Sequence, residues 1–69
     1  MIRIVLFYEN GKMYFTSKQN YENKIMNALD KHLLTGFRDL LDAKFYLEKQ
    51  FPYDVEIPRN EQLKEKGEN

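Results

Sequence analysis

Asp39 and Asp42 are the nearest this chain comes to a catalytic carboxylate pair, and His32 is its single imidazole. Two carboxylates in a cleft can hold a cation or move a proton. Their spacing supports a plainer role. Both lie at the head of an apolar helical pattern, three residues apart, where a carboxylate accepts free amide protons and favours the positive end of the helix dipole. A nucleophilic site needs Ser, Thr or Cys beside an oriented base, and nothing around Ser17 marks a nucleophile elbow. The chain has no cysteine, which removes disulfides and thiolate metal sites, and one histidine is too few for zinc. Gly11, Gly36 and Gly67 are scattered, so they build no phosphate-cradling loop. No enzymatic activity, cofactor, metal or small-molecule substrate is expected.

What remains is the chemistry of contact. Aromatic and apolar residues crowd the segment YENGKMYF, residues 8 to 15. Interface cores are rich in Tyr, Phe and Met and poor in Lys and Glu, and a cluster of Val5, Phe7 and Tyr14 within a charged surround has that anatomy. Leu41 and Phe45, one helical turn apart and off the main apolar stripe of their helix, form a second patch, either under another layer or open to a partner. The expected protein-binding residues are therefore Val5, Phe7, Tyr14, Leu41 and Phe45, the plainer alternative being that both patches merely finish a small core. An alternative uses overlapping residues for single-stranded nucleic acid: Phe7 and Tyr14 stack bases while Arg3, Lys12 and Lys18 contact phosphates. Eleven basic residues balance eleven acidic ones, so no overall field draws the chain to a polyanion, and about three cations on one face support only weak, salt-sensitive binding.

These side chains must be positioned by a small set of elements. Residues 2 to 7, IRIVLF, are apolar on both parities, as in a central strand with two partly covered faces. Asn10-Gly11 then predicts a two-residue hairpin turn, since both central positions of that turn need positive φ. The register follows, with Glu9 opposite Lys12, Tyr8 opposite Met13, Phe7 opposite Tyr14 and Leu6 opposite Phe15. Alternation places Ile2, Ile4, Leu6, Tyr8, Met13 and Phe15 on one face, the predicted core, and Arg3, Val5, Phe7, Lys12, Tyr14 and Thr16 on the other.

Thr16 and Gln19, with Ser17 or Asn20 as competing caps, predict a helix starting between residues 17 and 21. Tyr21, Ile25, Ala28, Leu29, His32 and Leu33 continue at helical spacing, with Met26 at the margin and Lys24 facing away, so the helix is expected to reach Leu34, with Gly36 as its left-handed cap. His32 becomes a partly buried core imidazole near the last carbonyls. The rival is a strand in LLTGF, residues 33 to 37. A second helix is expected from Asp39 to Gln50, stopped by Pro52, with Leu40, Ala43, Tyr46, Leu47 and Phe51 inward. YDVEI, residues 53 to 57, alternates as an edge strand with Tyr53, Val55 and Ile57 inward and Asp54 and Glu56 outward.

Assembled, these elements predict an α+β domain over residues 1–58. Its three-stranded sheet has order 2-1-3, hairpin plus parallel C-terminal strand, with two helices packed on one face. Residues 59–69 are charged and nearly free of apolar side chains, a tail expected to be disordered or a frayed helix. A 69-residue chain leaves a large share of its surface in water, so dense packing or self-association has to supply its stability. No apolar run reaches the 18 or more residues of a membrane span, and no signal peptide is read at the start of the chain, so the cytoplasm is the expected compartment and no membrane partner is expected. The expected function is protein binding or regulation by stoichiometric contact through the hairpin's second face. The partner is another protein or a second copy of the chain, and homodimerisation through the open sheet edge or face is the simplest form.

Overall fold

Asn10 and Gly11 take φ of 55° and 76°, the left-handed conformation a two-residue reversal needs, and the strands on either side pair in the predicted register. In the computed structural model, which describes residues 1–23, 27 and 29–66, these are β1 (Ile2–Glu9) and β2 (Lys12–Ser17). They pair antiparallel with Glu9 opposite Lys12 and Leu6 opposite Phe15. Then follow α1 (Lys18–Asn23), β3 (His32–Leu34), α2 (Leu40–Gln50), β4 (Tyr53–Glu56) and α3 (Arg59–Lys66). The fold is α+β, with a mixed sheet of order β3-β2-β1-β4. The apolar strand β1 lies inside the sheet and β4 runs parallel to it, which reproduces the predicted 2-1-3 order as β2-β1-β4, with β3 added beyond β2.

One face of that sheet carries the main core. Ile4, Leu6 and Met13 from the hairpin and Val55 from β4 pack against Leu40, Ala43 and Leu47 of α2. Leu6 and Leu40 are wholly buried, each contributing on the order of 1.5–3 kcal/mol of transfer free energy. Asp39 starts α2 as anticipated, its carboxylate accepting the Asp42 amide at 2.8 Å. The inward stripe is narrower than the spacing implies. Tyr46 and Phe51 are exposed; Tyr46 meets the Phe37 ring at a tilt and Phe51 stacks on Tyr53. Ile2, on the core face, is also exposed.

Four expectations are corrected. First, the helix after β2 is short. Ser17 caps α1 by accepting the Asn20 amide, and α1 ends at Asn23. Residues 32–34 pair antiparallel with β2, Phe15 opposite His32 and Met13 opposite Leu34, so the rival strand reading is nearer the structure. Among the predicted stripe, Leu29 and Leu33 are exposed and Tyr21 is half-buried; Lys24, Ile25, Met26 and Ala28 lie outside the described residues. His32 is therefore an exposed edge-strand residue stacked on Phe15 at 4.8 Å between ring centroids. Gly36, at φ 85°, turns the chain between β3 and α2.

Second, the helices do not share a face. α2 covers one side, while Tyr21 of α1 meets Phe7 on the other. Third, the edge of β2 is occupied by β3 and is not open for a second copy. Fourth, residues 59–66 form α3, which docks through polar groups. Glu61, only 3% exposed, accepts the backbone N–H of Tyr8 at 2.7 Å, and the Lys64 ammonium donates to the Tyr8 carbonyl at 3.1 Å. Since β4 pairs with β1 only as far as Val5, this carboxylate and ammonium take the place of the next strand residue. An apolar count cannot detect a helix held in this way.

Candidate functional site

The hairpin's second face is closed by the chain itself. Val5 is 1% exposed and Phe7 4%; the Phe7 ring lies between Tyr14, at 5.8 Å, and Tyr21, at 5.6 Å. The Thr16 hydroxyl, also buried, donates to the Asp30 carbonyl at 2.6 Å. The Lys31 ammonium sits 5.0 Å from the centroid of the half-buried Tyr14 ring and pairs with Glu9. Val5, Phe7 and Tyr14 are brought together as expected, but as a second, minor core beneath α1 and the Asp30–Lys31 turn. The closure is made by neighbouring chain: Tyr21 of α1 meets Phe7, and the Asp30 carbonyl and Lys31 ammonium engage Thr16 and Tyr14.

The burial of Phe7 removes one of the two rings of the stacking platform in the alternative set, and Tyr14 is half-buried beneath Lys31. Its cations are largely committed. Arg3 approaches Asp54 at 3.9 Å, and Lys18 pairs with Glu56 at 2.6 Å, the two acidic residues that share the face through the parallel register. Hydrogen bonding from Lys18 to Glu56, with their mutual attraction, holds the ammonium above its ordinary value of 10.5. Lys12 lies at the hairpin tip, away from Arg3 and Lys18 along the strands.

Leu41 and Phe45 keep the exposure that the sequence allows them, at 50% and 63%. On α2 they stand one turn apart, on a flank well away from the buried line of Leu40, Ala43 and Leu47. At 100° per residue, Glu48 continues this flank. Its carboxylate accepts from Lys44 at 2.9 Å and from the backbone N–H of Val55 at 3.2 Å, which lowers its pKa from 4.5, the Lys44 bond being the larger cause. The Val55 bond anchors this side of α2 to the outer edge of β4. The exposed pair thus rides on a fixed helix.

Two features escape sequence reasoning. A groove of about 460 Å³ opens beside the hairpin tip, lined by Tyr8, Lys12, Met13, Leu34, Phe37 and Arg38 among others. Phe37 and Arg38 lie in an aperiodic loop, and Leu34 is placed there only by the β2–β3 pairing, so hydrophobic periodicity gives no signal for the groove. The second feature is a row of rings, His32 on Phe15, Phe15 on Tyr53 and Tyr53 on Phe51, with centroid spacings of 4.8, 5.9 and 5.1 Å. No group of three or more His, Cys, Asp or Glu among the described residues could hold a metal ion. Among those residues no helix is long and apolar enough to cross a membrane.

The geometry thus defines a small α+β domain built around a β-hairpin. No model of a known protein family, no curated protein and no solved structure matches this chain.

Proposed function

We propose that the chain is a cytoplasmic protein-binding or regulatory module that acts by stoichiometric contact and not by catalysis, and that its contact surface is the outer flank of α2. The exposure of Leu41 and Phe45 on a helix whose opposite side is sealed into the core carries this reading. Apolar anchors at i and i+4 on a rigid helix suit insertion into a partner's groove, and covering one such side chain contributes roughly 1.5–3 kcal/mol. The ion pair of Lys44 and Glu48 borders the anchors, giving the apolar centre and polar rim found at interfaces. The partner is another protein or a second copy of this chain, the homodimer being the simpler form.

The test compares the full chain with the double variant Leu41→Ser, Phe45→Ser. Light scattering across a concentration series should give a mass above the monomer for the parent and the monomer mass for the variant, with unchanged circular dichroism. If the partner is a different protein, the parent stays monomeric and a lysate pull-down loses specific bands with the variant. A monomeric parent whose captured proteins are identical to the variant's would refute the proposal.

A further inference from the structure

The groove beside the hairpin tip differs from the α2 flank in one respect: its cations have no ion pair among the described residues. Among the described residues, five cations have carboxylate partners, namely Arg3, Lys18, Lys31, Lys44 and Lys64. Lys12 and Arg38 have no ion pair, are exposed, and both line this groove. The carboxylates close to them in sequence are hydrogen-bonded to groups other than the two cationic side chains. Glu9 pairs with Lys31, Asp39 accepts the Asp42 amide, and Asp42 takes the backbone N–H of Arg38, leaving its guanidinium available. Apolar side chains also line the groove: Met13 is buried, and Leu34, Phe37 and the ring of Tyr8 are half-buried.

We propose that this groove is a docking site for an acidic peptide segment, one apolar side chain entering against Leu34 and Phe37 while flanking carboxylates meet Lys12 and Arg38. Its volume lies within the range of ligand sites, and the guanidinium offers a planar fork suited to a carboxylate. A nucleic acid is the poorer occupant, because backbone recognition needs many phosphate contacts and the groove has two cations within a chain of zero formal net charge. The site is separate from Leu41 and Phe45, so either proposal can fail alone.

The probe is the blocked pentapeptide Glu-Glu-Leu-Glu-Glu, titrated into the isotope-labelled full chain and followed by amide shifts. Shifts should concentrate at Lys12, Leu34, Phe37 and Arg38. The double variant Lys12→Gln, Arg38→Gln should bind about tenfold more weakly, and added salt should weaken the parent's binding as expected for exposed charges. Leu41→Ser with Phe45→Ser should leave the titration unchanged. Both cations are exposed and unpaired, so their removal should preserve the amide spectrum; the single Arg38→Gln serves if Lys12→Gln disturbs the hairpin tip. The proposal is overturned by any of three results: no shifts at the groove, equal shifts with the Gln-Gln-Leu-Gln-Gln peptide, or a short oligothymidylate that displaces the acidic peptide at equal concentration.

Discussion

Replacing Glu61 with alanine tests how α3 is attached. In the folded chain its Oε1 accepts the Tyr8 amide at 2.7 Å and its Oε2 faces the Lys64 ammonium at 3.0 Å, and the residue is almost wholly buried. Loss of a carboxylate acceptor from a partly buried N–H costs about 1–3 kcal/mol. The Lys64 pair adds little, since that ammonium is half exposed and exposed ion pairs are worth about 0–1 kcal/mol. A total near 2 kcal/mol corresponds to a fall in Tm of roughly 8–16 °C for a domain of this size. Glu61→Gln keeps a carbonyl acceptor and loses only the charge assistance, so about 1 kcal/mol is expected, and Lys64→Ala should cost less still. Thermal melts followed by circular dichroism give the ranking, and amide exchange locates it: Tyr8 should lose protection in Glu61→Ala, while Leu6, deep in the hairpin, should follow only the global loss. The reasoning fails if Glu61→Ala melts within about 2 °C of the parent with Tyr8 exchange unchanged, because ~1 kcal/mol already moves Tm by at least about 4 °C.

The remaining predictions concern the hairpin, the two aromatic environments and acid stability. Phe7→Ala should cost about 3–5 kcal/mol by opening the minor core, whereas Phe45→Ala should stay within about 0.5 kcal/mol; equal effects in urea titrations would mean the two burial states are misassigned. Gly11→Ala should cost about 1–2 kcal/mol through its left-handed backbone alone, since a β-carbon there meets no atom within 4 Å; a neutral result would show that the turn relaxes. Because the Glu48 carboxyl is lowered from 4.5 by Lys44 and Val55, its contribution is present above that value and lost as pH falls through the lowered one. Glu48→Gln should therefore flatten the acid limb of a Tm-against-pH curve, and an unchanged limb would refute the coupling.

The parts legible in the sequence are those fixed by local chemistry. Asn10-Gly11 admits one tight reversal, and the whole hairpin register follows from it. Asp39 with Asp42 marks the head of α2, and the alternation of Tyr53, Asp54, Val55 and Glu56 supplies β4. Where the reading fails, long-range pairing decides the outcome. His32, Leu33 and Leu34 fit a helical stripe and a short strand equally well on spacing, and the available edge of β2 resolves that ambiguity in favour of the strand. α3 has one apolar residue, Leu63, along its described length, and Leu63 is exposed, so the helix is placed by Glu61 and Lys64 bonding to backbone more than fifty residues away. The closure of the second face has no local signal, because Arg3, Lys12 and Thr16 share it; the chain that covers it, α1 and the Asp30–Lys31 turn, meets Thr16 through a carbonyl and Tyr14 through an ammonium.

These placements restrict how the domain can engage a partner. Strand addition needs a row of available backbone groups along a sheet edge. Val55, on the outer edge of β4, has its N–H taken by Glu48, and the stretch of β1 beyond β4 is occupied by Glu61 and Lys64. The other edge is β3, three residues long. Both faces of the hairpin are covered, by α2 on one side and α1 on the other. Among the described residues these engaged groups and the shortness of β3 weigh against strand addition, and under the two proposals above a partner meets side chains, on α2 and around the hairpin tip. The arrangement leaves Leu41 and Phe45 in water one turn apart, on a helix whose other side, Leu40, Ala43 and Leu47, is buried against the sheet.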